Sequence, residues 1–169
     1  MKKVDYLIIH STNTSEASDF GKDVIIQKHT ASTKADGLGF NRPGFDYLIP
    51  LDGSLQTIIN EDNPTQTDLW GISNGLKDLT GIAKNVAYVG GRTLKESFDK
   101  DTRNNNQKQT LEAIVKFYVL RFPNIIVLGF NEVPTKSGID SPAFSVNDWL
   151  REIGVSEKHI YVKSKDKNG

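Results

Sequence analysis

The chain has 169 residues, a length that fits one compact domain, and a hydrophobic content of 37% is enough for a core without covalent staples. Its 21 basic and 21 acidic residues cancel to a formal charge of zero, which excludes the electrostatic footprint of a dedicated nucleic-acid binder. There is no Cys, so disulfides and thiolate metal sites are excluded with it.

The opening MKKVDYLIIHST places two lysines before a short apolar run that ends in His10 and has no small-residue cleavage site. It reads as a first strand, Val4 to His10, buried on both faces, and not as a secretory leader. No stretch reaches the roughly 20 apolar residues that span a bilayer. From about Ser18 to Thr30, Phe20, Val24 and Ile25 fall on one face at helical spacing. ASTKADGLGFNRPG, dense in Gly, Asn and Pro, predicts a surface loop. FDYLIPLDGSLQTII reads as two β-rich runs parted by Asp52-Gly53, a hairpin signal.

NEDNPTQTDLWGISNGLKDLTGIAKN predicts a long connection with short helical pieces, a length that often carries function. VAYVGG is a further buried strand. Asn104 to Phe122 is the clearest helix, since Leu111, Ile114, Val115, Tyr118 and Val119 keep the i, i+3, i+4, i+7, i+8 pattern and Pro123 stops it. IIVL is another strand. Ser145-x-x-Asp148 opens a last helix through Trp149, Leu150 and Ile153, ended by Gly154. Residues 154–169 add the strand-like HIYV and a polar tail, KSKDKNG. No repeat or linker divides the chain, so residues 1–169 read as a single domain of the mixed α/β class, a central mixed β-sheet flanked by helices.

Taken in order, YLIIHST, NRPGFDYLIPLDGSLQ, WGISNGLKDLTG, VAYVGG, DTRNNNQKQTLEAIV and GFNEVPTKSGIDSPAFSVNDWLR resemble the zinc-dependent N-acetylmuramoyl-L-alanine amidase family. That is the fold of phage T7 lysozyme and of peptidoglycan recognition proteins, and the resemblance spans about Val4 to Ile153. It implies cleavage of the amide between muramic acid and L-alanine by a zinc held on two His and a Cys, sometimes an Asp. The metal polarises the carbonyl and activates water, with a Tyr and a Lys assisting.

Only part of that set is present. His10, followed by Ser11 and Thr12, matches the first ligand. Phe130 in Gly129-Phe130-Asn131-Glu132-Val133 takes the place of the second His. Ser141 before Pro142 takes the place of Cys, with Asp140 beside it as a conceivable substitute. Phe45 after Gly44 takes the place of the Tyr, and Lys136 is a candidate for the Lys. The expected cofactor complement is therefore none, because Phe130 and Ser141 replace two zinc ligands.

For each remaining candidate a plainer role stands beside the functional one. His10 is a satisfied strand-end histidine or one member of a shifted metal site. His29 lines the groove or lies on the surface, and His159 is structural. Trp70, Asn74 and Arg42 suit a glycan or a carboxylate, or else Trp70 is core and Arg42 is solvated. Asp101 and Arg103 read as a helix cap. Ser11 and Ser141 lie in no activating motif.

The leading expectation is an amidase-fold pseudoenzyme that binds a muropeptide-like or other small ligand in the former active-site groove. His10, His29, Arg42, Phe45, Trp70, Asn74, Phe130 and Ser141 are the expected contacts. One alternative is a working amidase with an unusual metal site built on His10 and Asp140. Another is a phage or mobile-element inhibitor that acts on a protein partner or sequesters a small signalling molecule. The expected partners are a small ligand or peptidoglycan fragment, with a protein partner possible in the second alternative and no nucleic acid or membrane. The expected location is the cytoplasm, of the producing cell or of an infected host.

Overall fold

The computed structural model of the protein describes residues 3–59, 65–66, 79, 81–132 and 140–162. Its main sheet is mixed and has six strands: β1 (Tyr6–Ser11), β3 (Tyr47–Ile49), β4 (Gln56–Thr57), β5 (Thr65–Gln66), β6 (Ile82–Tyr88) and β8 (Ile126–Gly129). The order across it is β4-β3-β6-β1-β8, with β5 also on β6. β3, β6, β1 and β8 run parallel, while β4 and β5 are antiparallel to their neighbours. Two short strands, β2 (Thr14–Ser15) and β7 (Gly91–Arg92), pair beside the end of β1. The helices are α1 (Lys22–Thr30), α2 (Asn105–Arg121) and α3 (Val146–Glu152).

The two-residue period of a strand divides β1 between two layers. Leu7 and Ile9 pack with Tyr47, Ile49, Val86, Tyr88 and Val127 against α2 and α3. Ile8 packs on the other side with Ala83 and Leu128, and Ile25 of α1 covers Leu48, Ala87 and Val89 there. His10 belongs by alternation to this second face. An unbroken apolar run is what a parallel strand covered on both sides requires.

Helix α2 buries Leu111, Ile114, Val115 and Tyr118, as its spacing predicts. Its cap is Asn104, whose side chain accepts from the Gln107 N–H while the Gln107 side chain accepts from the Asn104 N–H. Asp101 and Arg103 do not serve as the expected cap. They pair with each other, and the guanidinium lies 3.4 Å from the centre of the Phe144 ring. Gln107 is wholly buried and also donates to the Ile49 and Val89 carbonyls, tying the start of α2 to the ends of β3 and β6. Helix α3 has the predicted Ser145 cap and ends with Gly154 N–H donating to Arg151 and Val155 N–H donating to Leu150.

Three expectations are corrected. Helix α1 starts at Lys22, not near Ser18, and of its apolar face only Ile25 is buried; Val24 is exposed. Ile82 to Asn85, assigned above to the long connection, are strand, because pairing with β1 and β5 overrides their polar look. HIYV is not a strand: residues Glu157–His159 form a 3-10 turn, and only Ile160 bridges to Val127. The hairpin does form, but through a wider turn in which Gly53, at φ +81°, donates to the Pro50 carbonyl. Most of the 60–78 connection, with Trp70 and Asn74, lies outside the described residues, as do Lys136 and the tail from 163.

β6 also carries a buried ion pair that the sequence did not single out. Lys84 Nζ lies 3.7 Å from Asp46 Oδ1, both side chains are 0% exposed, and Asp46 Oδ2 accepts from the Asn85 N–H at 2.7 Å. Removing one partner strands the other charge in the core. Asp46→Ala should therefore lower unfolding stability by about 3–5 kcal/mol, whereas Asp46→Asn combined with Lys84→Met, which keeps an acceptor for the Asn85 N–H, should recover most of the loss. Urea melts of the two variants check this, and equal losses in both would contradict it.

Candidate functional site

The site lies at the carboxyl ends of β1 and β8, where open parallel sheets characteristically hold ligands. His10 is the fifth residue of β1 and is 5% exposed. Its Nε2 meets Asn85 Oδ1 across the β1–β6 pair at 2.9 Å. Since β8 runs in register with β1, the residue following β8, Phe130, falls beside His10. The two rings stack at 5.2 Å between centroids with an interplanar angle of 27°. Phe45, just before β3, lies 4.9 Å from His10 and 5.0 Å from His29, so it stands between the two histidines.

His29, in the last turn of α1, is 7% exposed and lines the same cavity, so its surface reading is set aside. Its Nδ1 accepts from the Gly44 N–H at 2.8 Å, and Phe40 stands edge-on to the ring. A Cβ on residue 44 would sit 3.3 Å from that nitrogen, which favours Gly at this approach. Ser141 is buried, and its Oγ accepts from the Ser11 N–H at 2.9 Å. The described residues enclose a cavity of about 390 Å³ between α1, the loop that follows it and the ends of β1 and β8. Its walls are largely apolar, with Phe20, Ile25, Leu38 and Phe40 joining Phe45 and Phe130.

Five of the eight expected contacts, His10, His29, Phe45, Phe130 and Ser141, thus line one cavity. Arg42 is half-buried and is not among the residues lining it. Trp70 and Asn74 lie outside the described residues. Asp140 does not turn inward as the metal-site alternative needs; it is exposed and accepts from Asn131 Nδ2 at 2.9 Å. His159 is structural, its Nδ1 bonded to the Ile125 carbonyl. The lining residues missed above, Phe20, Leu38, Phe40, Asn13 and Lys28 among them, come from loops and helix α1, where no strand-end motif marks them.

A catalytic zinc takes three protein ligands offering N, O or S. Of the three places implied by the resemblance, only His10 carries a nitrogen donor. Phe130 has no donor atom, and the neutral Ser141 hydroxyl is engaged with Ser11. All three histidines of the chain are described, and among the described residues no three His, Asp or Glu side chains gather to hold a metal. The residues at these positions do not fit the zinc of the resemblance.

The chain has the fold of the peptidoglycan recognition proteins and of a phage endolysin, as solved structures show. Bumblebee PGRP-SA is similar at 13% identity with a TM-score of 0.59, over 97% of this chain and 87% of that one. The Ph2119 endolysin of a Thermus scotoductus bacteriophage is similar at 16% identity and 0.59, over 92% and 88%. Human PGRP-IβC, solved in complex with a glycosamyl muramyl pentapeptide, is similar at 13% identity and 0.59, over 94% and 86%. No protein-family model and no curated protein matches the sequence. At such identities the likeness establishes the fold alone.

Burial lowers the His10 ring from the ordinary 6.5 to about 4, with the Asn85 hydrogen bond opposing and nearby His29 adding to the shift. Burial and the neighbouring Lys28 lower His29 to about 4 as well. Both rings are neutral at pH 7, so they act as hydrogen-bonding groups and not as cations. Because both folded values lie below 6.5, the unfolded chain takes up protons between there and about pH 4 that the folded chain does not. Stability should fall as the pH falls through that window, by roughly 3 kcal/mol per ring at its acid end. NMR titration of the two rings checks the cause: midpoints near the ordinary value for both would contradict it.

Proposed function

We propose that the chain is a binding protein on the amidase fold, a pseudoenzyme that keeps the groove without the metal. The observation carrying this reading is Phe130 stacked on His10 at 5.2 Å, where a second zinc-binding imidazole would have to stand. Phe45 adds to it, since a phenyl ring cannot donate a hydrogen bond to a tetrahedral intermediate as the family's Tyr does. Aromatic residues at both places make the pocket apolar in one consistent sense. They pack against His10 and leave it hydrogen-bonded to Asn85, as an ordinary buried imidazole would be.

The cavity remains, and its volume is within the range of small-molecule sites, about 300–1,000 Å³. Among similar structures, human PGRP-IβC is in complex with a glycosamyl muramyl pentapeptide, and the PGRP-LCa and PGRP-LCx ectodomain complex holds tracheal cytotoxin. They support a muropeptide-like fragment as one ligand class for the groove as a whole.

Elemental analysis after exchange into zinc-containing buffer should find the wild-type chain essentially metal-free, and a muramyl pentapeptide should survive prolonged incubation with it. Phe130→His combined with Ser141→Cys should restore three donors and retain about one zinc per chain. Stoichiometric zinc in the wild type, with release of the peptide from muramic acid, would overturn the reading.

A further inference from the structure

The cavity is walled by rings. Phe20, Phe40, Phe45 and Phe130 line it together with the imidazoles of His10 and His29. Phe45 is held between both histidines and Phe130 is stacked on one of them, so these walls are set before any ligand arrives. A sugar hydroxyl placed against such walls loses water without gaining a partner, which is costly. A flat unsaturated ring gains stacking on the same surface.

Besides the two imidazoles, Asn13 and Lys28, the polar lining is Ser11, Thr12, Thr14 and Ser141, whose hydroxyls are bonded in two pairs among themselves. Asn13 also lines the cavity, on a left-handed backbone at φ +58°. His29 accepts from Gly44 through Nδ1, so its proton is on Nε2, a donor with no partner among the described residues. His10 meets Asn85 Oδ1 through Nε2, which leaves Nδ1 as an acceptor. One donor and one acceptor set among aromatic faces complement a planar nitrogen heterocycle whose edge carries both an N–H group and a ring nitrogen. At the mouth, Lys28 is exposed and has no ion-pair partner among the described residues.

We propose that the cavity takes a nucleobase, carried by a small nucleotide whose phosphate lies toward Lys28. The proposal rests on the reading of the chain as a binding protein and names the ligand class for this end of the groove. It is compatible with the zero net charge: one phosphate needs one local cation, whereas a nucleic-acid strand needs a basic track.

The test is calorimetric titration of the full chain with adenosine 5′-monophosphate, adenosine and muramyl dipeptide in turn. Both nucleobase ligands should saturate, the nucleotide more tightly. Lys28→Ala should bring the ratio of the two affinities toward unity. Phe45→Ala should weaken both by roughly tenfold or more. Should circular dichroism show that variant unfolded, Phe40→Ala, which removes another lining ring packed on His29, carries the same expectation.

If muramyl dipeptide saturates while neither nucleobase ligand does so below about 1 mM, the nucleobase proposal falls and the binding reading stands. If the nucleobase ligands bind but a folded Phe45→Ala or Phe40→Ala variant binds them undiminished, the cavity is not their site and the proposal falls too. Zinc-dependent cleavage of a muropeptide by the wild-type chain would overturn both.

Discussion

The parallel pairing of β1 between β6 and β8 is the constraint on which the rest of the structure depends. It obliges β1 to be apolar on both faces, and it aligns the strand ends so that the residue after β8 falls beside His10. The same register lets Asn85 reach His10 from two positions before its direct partner, Ala87. A slip of one residue would exchange the two faces of β1 and turn His10 into the layer under α2. The capping box of α2 and the buried Gln107 reinforce this register, because they anchor the helix to the ends of β3 and β6.

Around His10 the chemistry is that of a packed, neutral interior. Desolvation keeps both cavity imidazoles uncharged, and the phenyl rings pack on their faces while leaving one nitrogen of each ring without a partner among the described residues. Ser141 is used to close the end of β1 through the Ser11 N–H. Glu132, in the same turn as Phe130, accepts from the Gly129 and Asn147 N–H groups and joins that turn to α3. The turns on either side of the motif are thus held by hydrogen bonds of their own.

The ion pair of Lys84 and Asp46 illustrates a limit of reading polar residues locally. In the sequence, Ala-Lys-Asn within GIAKNVAYV looks like the tail of a loop. In the fold, both polar side chains are buried within a central strand, one against Asp46 and one against His10. Their partners come from distant parts of the chain, so no local pattern announces them. Asn13 and Lys28 were passed over for the same reason: each lies in an ordinary polar stretch, and only the closing of α1 over the strand ends brings them to the cavity.

The sequence by itself determined the class of fold, the buried first strand, the span of α2, the Ser145 cap and the residue types at positions 130 and 141. These depend on local periodicity, capping chemistry and residue identity, which need no knowledge of distant contacts. Only the tertiary structure decided that Ile82 to Asn85 are strand, that His29 is buried, that Asp140 turns outward and that Arg42 is not among the residues lining the cavity. Each of those follows from pairing or packing between segments far apart in the chain, and such contacts exist only once the sheet has brought the segments together.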